Sequence, residues 1–361
     1  MDTAALPNDC FAEAINKDRI ASRLHNSLIA LAKVSLLYSS EGGSDQEILD
    51  VDDYIQTVLI GESLVANRGF NHRDLVRRYR TKPGHIIGGR EVAASGISAR
   101  YKGQVKKLID SRDLDFRASD GITSGSAMKV ACIAAFYSDD MTALVENTDR
   151  ITRITHDSID SRLAALLTVL RYRQIFLEEE NSTAHLRDAL VGAISRLGIA
   201  ESKFFLDLFD AGAAMVASIA DPARLLAHLN AVIGLSHIAT SVPISACLWS
   251  FHRVDLGTVL TSWSLHDKYE IRAGDVVIKH GDWRYEAHRR HFLALGYTGA
   301  DSRLLGEEAR SHFDLDTFFS NAFSLLAAQY GLQDCVGDEE LDEFTDNLEV
   351  LARNLVDVSG R

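Results

Sequence analysis

Apolar residues recur at helical spacing along most of the chain. Between Asp18 and Tyr38, Leu24, Leu28 and Leu31 repeat with apolar neighbours, which predicts an amphipathic helix that stops near Ser39-Ser40-Glu41-Gly42-Gly43-Ser44. Ile55, Val58, Leu59, Leu64 and Val65 predict a second helix over 55–66, preceded by Asp50-Val51-Asp52-Asp53-Tyr54. Acidic residues suit such a start, because the first turn of a helix exposes unpaired N–H groups. The same periodicity predicts helices over 73–80, 130–136, 158–176, 184–197, 203–219, 223–233 and 341–356. Residues 236–251 are small and apolar and predict a buried helix whose start or kink is set by Pro243. Phe318 to Gly331 is mostly apolar and predicts another.

Two stretches break the helical pattern. The glycine-bearing segment 86–103 predicts loop, with Arg90, Arg100 and Lys102 as surface cations. Within 255–308, Ile271 to Ile278 predicts a small hairpin or edge element, followed by a basic amphipathic helix over 285–295. His280, His288 and His291 do not follow a zinc spacing and read as a local basic patch. The expected fold class is all-α, a compact multi-helix domain over 1–361 with a small β element in 255–308.

Composition narrows the classes. Of 361 residues, 46% are hydrophobic and only four are proline, which permits a large helical core. A formal net charge of -13 argues against sustained binding to a nucleic-acid backbone. Cys10, Cys132, Cys247 and Cys335 are far apart without metal or disulfide spacing, which fits a reducing compartment. With no run apolar enough to span a membrane and a start that is not signal-like, the expected location is cytoplasmic, without a membrane partner.

The candidate chemistry lies in separated clusters. Asp314-Leu315-Asp316-Thr317 places two carboxylates and a hydroxyl at a helix start, either as capping residues or as hard oxygen ligands for a divalent cation. Asp52 and Asp53 form a second such pair, and Glu41 is a carboxylate in a serine-glycine loop. In Ile122-Thr123-Ser124-Gly125-Ser126-Ala127-Met128-Lys129-Val130, small residues permit either close helix packing or close approach of a phosphate or sugar oxygen. Thr155-His156-Asp157 precedes a helix, where the histidine serves as a cap or contacts a ligand.

In this order the segments resemble the ADP-ribosylglycohydrolases. Asp52-Asp53 resembles the family's early aspartate pair, and Asp314-Leu315-Asp316-Thr317 its late Asp-x-Asp-Thr/Ser motif. Gly125-Ser126-Ala127-Met128-Lys129-Val130-Ala131 is similar to its Gly-x-x-Met-Arg-Val-Ala stretch. Thr155-His156 and Ser241-Val242-Pro243-Ile244-Ser245-Ala246 also have counterparts. The resemblance covers roughly Arg19 to Gly331, and 255–308 is longer than expected, an insertion.

This likeness implies two magnesium ions, with manganese as a substitute, held by Asp52, Asp53, Asp314, Asp316 and Thr317. It implies Glu41, Asp53 and Asp316 as catalytic residues, and Gly125, Ser126, Lys129 and His156 as contacts for an ADP-ribosylated substrate or an ADP-ribose-like small molecule. The expected reaction is hydrolysis of an ADP-ribosyl glycosidic bond on a protein, nucleic acid or small molecule.

Departures from the pattern carry two alternatives. Val34 stands for the aspartate of the family's first motif, Gly-Asp-Ala-Leu-Gly. Tyr54 follows the early pair where the family has threonine, His312-Phe313 replaces a glycine pair, and Lys129 replaces arginine. One alternative is an inactive binder of ADP-ribose, a nucleotide or a protein partner. The other is a metal-dependent enzyme for a different nucleoside or glycoside.

Overall fold

The structure is a computed structural model that describes residues 8–40, 52–81, 85–87, 90–92, 107–108, 110–119, 121–254, 258–259, 262–267, 269–280, 284–297, 313–332 and 342–359. Side chains are described throughout these except at 8–15, 36–40, 52–53, 81, 85–87, 90–92, 265–267 and 342–346. The N-terminal half contains α1 (Asn8–Ser40), α2 (Asp52–Asn67), α3 (His72–Thr81), α4 (Ala131–Phe136), α5 (Met141–Thr152) and α6 (Ile159–Phe176). The sequence continues with α7 (Thr183–Leu197), α8 (Lys203–Ser218), α9 (Pro222–Val232) and α10 (Val242–Trp249). Ser158, Ser182 and Asp221 cap α6, α7 and α9 by accepting from the backbone N–H of Ser161, His185 and Arg224. Pro222 supplies the first turn of α9, and α7 ends on Gly198 at φ 64°, a left-handed position that glycine tolerates.

Two helices form the centre. Both α6 and α12 (Leu315–Tyr330) are buried around nearly their whole circumference, so each is surrounded by other helices. Along α12 lies α1, which buries Ile20, Leu24, Leu28 and Leu31, and α13 (Asp342–Val358) packs on α1, α2 and α4. Tyr172 of α6 ties the layers together: its hydroxyl donates to Ser324 Oγ of α12 at 2.7 Å and accepts from Ser27 Oγ of α1 at 3.2 Å. Arg171, fully buried, donates to Ser250 Oγ and to the Gln174, Asn181 and Gln329 side chains at 2.6–3.2 Å, and sits 3.8 Å over the Phe251 ring. Burial pulls its pKa down to about 10, still protonated at neutral pH.

Two expectations change here. Within 86–103, β1 (His85–Ile87) and β2 (Arg90–Val92) pair antiparallel, where the sequence predicted loop. The insertion holds a three-stranded meander, β3 (Trp263–Asp267), β4 (Glu270–Ala273) and β5 (Val276–Lys279), rather than one hairpin. Within 236–251 the helix begins at Val242, so Pro243 sets its start rather than a kink, because proline fits a first turn and not a helix interior.

The meander leads into α11 (Tyr285–Ala294), and its histidines are not a surface patch. His288 is fully buried with Nδ1 2.6 Å from Thr240 Oγ1. His291 bonds through Nε2 to the buried Asp160 carboxylate at 3.0 Å and stacks on Phe204. Arg284, Arg289 and Arg290 are the exposed cations of this helix. The chain is thus a compact, mainly α-helical domain with a small β insertion, and no described helix is long and apolar enough to cross a membrane.

Two measurements follow from these buried cations and imidazoles. Arg171→Ala should lower stability in urea by about 3 kcal/mol, since several buried acceptors lose their donor together. A loss below about 1 kcal/mol would show that they re-pair with one another. Burial, aided by the His291 and Arg284 charges, moves His288 from its ordinary 6.5 down to about 3. Between those values the unfolded chain binds a proton that the folded chain refuses. Its contribution is therefore complete above about pH 6.5 and is lost as pH falls toward 3. His288→Gln should flatten that part of a stability-versus-pH curve, and an unchanged acid limb would refute the assignment.

Candidate functional site

The backbone that does not become helix builds the site floor. Residues 234–241 spend their hydrogen bonds on distant segments: Ser124 N–H donates to His237 O at 2.8 Å, and Ala239 N–H to Ile122 O at 2.9 Å. Thr123 and Ile238 form an isolated antiparallel bridge. Asp314 N–H donates to Leu235 O at 2.8 Å, which brings the start of α12 beside the 122–126 turn. Ser124 Oγ then donates to Asp314 Oδ2 at 3.3 Å.

Asp314 occupies the N-cap position of α12, yet its side chain makes no capping bond. Its carboxyl instead accepts from Ser124 Oγ and lies beside Asp316 and Thr317, whose side chains act on its protonation. Burial first, and then the charge and hydrogen bond of Asp316, hold the Asp314 pKa well above the usual carboxylate range. Asp316 is exposed and Thr317 buried. The structure therefore joins Asp314, Asp316 and Thr317 into one oxygen cluster, the arrangement that competes with plain capping. Among the described residues no group of three or more His, Cys, Asp or Glu side chains gathers to hold a metal. Glu41 lies outside the described residues, and so do the side chains of Asp52 and Asp53, which open α2.

The next turns of α2 do face this region. Thr57 Oγ1 donates to Met128 O at 3.3 Å, and Gln56 Oε1 accepts from Lys129 Nζ at 3.1 Å. Positions 52 and 53 precede Gln56 and Thr57 by four residues, one helical turn. Lys129 is 1% exposed, and its ammonium also donates to Thr155 Oγ1. Its charge acts from beneath the turn rather than from the surface.

Glycines let His156 lie against that turn. A Cβ on Gly125 would stand 3.3 Å from the ring Cε1 and Nε2 of His156. Gly121 has φ +114°, and a Cβ there would be 3.1 Å from His156 Cα. Ser161 Oγ, in the first turn of α6, donates to Gly121 O at 2.7 Å and fixes the approach. His156 bonds to Thr155 Oγ1 through Nδ1 and to Thr123 Oγ1 through Nε2, both at 2.9 Å. Burial, with a smaller effect of the Lys129 charge, pushes its pKa well down and keeps the ring neutral. The Ser126 hydroxyl is buried without a hydrogen-bond partner among the described residues.

Gly125, Ser126, Lys129 and His156 thus share one region with Asp314, Asp316 and Thr317. Sequence reasoning did not single out Thr123, Ser124, Gln56 or the Leu235 carbonyl. Gln56 had a signal, its four-residue spacing from Asp52; the Leu235 carbonyl had none, because any residue supplies one. Val34, standing for the family's first aspartate, is buried at 2% exposure in α1.

Comparison with known proteins agrees with the fold. A chain described as "ADP-ribosylglycohydrolase-related protein complex" has a similar fold, with a TM-score of 0.51 and 18% identity, covering 95% of this chain and 99% of that one. No curated protein sequence matches. The family model for ADP-ribosylglycohydrolase matches residues 10–267, well over half the chain, and the protein belongs to that family.

Proposed function

We propose that the protein hydrolyses an ADP-ribosyl glycosidic bond on a modified protein, nucleic acid or small molecule, with magnesium as its cofactor. The observation that carries this reading is Asp314: at an N-cap position it makes no capping bond, accepts from Ser124 and lies beside Asp316 and Thr317. Two crowded carboxyls beside a hydroxyl suit a hard divalent cation, whose charge would relieve the repulsion between them. Asp314, Asp316 and Thr317, with Asp52 and Asp53, would hold two magnesium ions, manganese being the substitute. Bound there, they would supply Lewis-acid chemistry, the lowering of a water pKa beside ribose hydroxyls.

The chain's own groups have separate tasks in this proposal. Glu41 takes a proton from water or delivers one to the leaving group, as a carboxylate must at a glycosidic centre. Gly125 and Ser126 receive the diphosphate at a turn where glycine permits close approach. His156, neutral, orients hydroxyls beside it without adding charge. Lys129 supports the turn electrostatically from its buried position. The domain, in this reading, is a single unit over 1–361 with 255–308 inserted, acting as a cytoplasmic enzyme.

The buried Val34 favours a second reading, in which ADP-ribose binds without turnover. The two are separated by measuring magnesium-dependent release of ADP-ribose from modified arginine, modified serine and ADP-ribosylated nucleic acid. Release from at least one is expected, and Asp316→Asn should slow it by roughly 100-fold or more without changing the helical circular-dichroism signal. Binding without release would favour the second reading. No release and no bound metal, or an Asp316→Asn rate equal to wild type, would overturn the hydrolase.

A further inference from the structure

Hydrogen-bond direction can be followed through the buried polar chain behind the turn. An ammonium only donates, so Thr155 Oγ1 is an acceptor toward Lys129. Thr155 is 1% exposed, and its own proton has one described acceptor, Nδ1 of His156 at 2.9 Å. If Nδ1 carried the imidazole proton instead, Thr155 would bury an unused hydroxyl proton, which is costly. Nδ1 therefore accepts. The neutral ring carries its proton on Nε2, which donates to Thr123 Oγ1 at 2.9 Å. Thr123 Oγ1, with its lone pair engaged, has a proton of its own and no acceptor for it among the described residues. Thr123 is partly exposed, next to Ser124 and Gly125.

We infer that Thr123 is a ligand-binding residue whose hydroxyl is held as a donor by the Lys129–Thr155–His156 chain, and that its partner is a phosphoryl oxygen of the bound nucleotide. A hydroxyl locked as donor matches an acceptor-only group; phosphoryl oxygens are such acceptors, whereas a ribose hydroxyl also has a proton to place. Thr155 and His156 are positioning residues here, acting through Thr123. The choice of nucleotide rests on the ADP-ribosyl reading above. The polarity of the chain does not.

Two experiments test it on the full chain. Calorimetry with ADP and with adenosine compares wild type, Thr123→Val and Thr123→Ser. Thr123→Val should weaken ADP by about 10-fold or more, leave adenosine unchanged, and be rescued by Thr123→Ser. Equal ADP affinity in Thr123→Val, or an equal loss for adenosine, would overturn the inference, as would wild type failing to bind ADP. Wild type that binds ADP with this Thr123 dependence yet releases no ADP-ribose would sink the hydrolase and leave the inference standing. The second readout needs no variant: nitrogen NMR of His156 should show the Nε2–H tautomer at neutral pH, and an Nδ1–H tautomer would overturn the assigned direction.

Discussion

A buried ammonium has to be surrounded by acceptors, and Lys129 obtains its own from elements that are otherwise far apart. Gln56 comes from the second turn of α2, and Thr155 from the corner between α5 and α6. Satisfying one charge therefore draws two distant parts of the chain to the 122–129 turn. The same charge helps keep His156 neutral. Removing it from water is expensive, and a position this costly fixes geometry even where it adds little net stability.

The other half of the site is assembled by backbone. Leu235 and His237 use their carbonyls on Asp314 and Ser124, so a segment that lacks regular structure aligns the late acidic motif with the small-residue turn. The insertion braces the same segment from outside. His288 meets Thr240, Asp160 in the first turn of α6 meets His291, and Ile122 and Ile238 pack with Tyr285 and Phe292. Residues of this segment thereby cover one side of the 234–241 backbone.

Much of this was legible before any coordinates. The helix start at Ser158, the helices over 184–197 and 223–233, and the buried run after Asp316 each rest on local chemistry that a short window contains. The acidic clusters were legible as residue types, and their ambiguity with capping was a matter of where one carboxylate turns. What was hidden depends on partners distant in sequence. His288 and His291 look like surface cations until Thr240 and Asp160 are placed against them. The pair β1–β2 has strands too short for alternation to register, and the glycines between them read as loop. Residues 236–241 carry the apolar character of a helix but lose their backbone bonds to Ile122, Ser124 and Ser241. Thr123 was written within a small-residue segment, and its role emerges only when each proton between Lys129 and the turn is assigned.

The central proposal is that Asp314, which makes no capping bond, and Asp316 are one side of a divalent-cation centre whose other side is the start of α2. Anomalous diffraction from crystals soaked in manganese tests this most directly. The account predicts a peak within coordination distance of both the Asp314 and Asp316 carboxylates and of the Asp52-Asp53 turn. Saturating manganese with no peak there would contradict it.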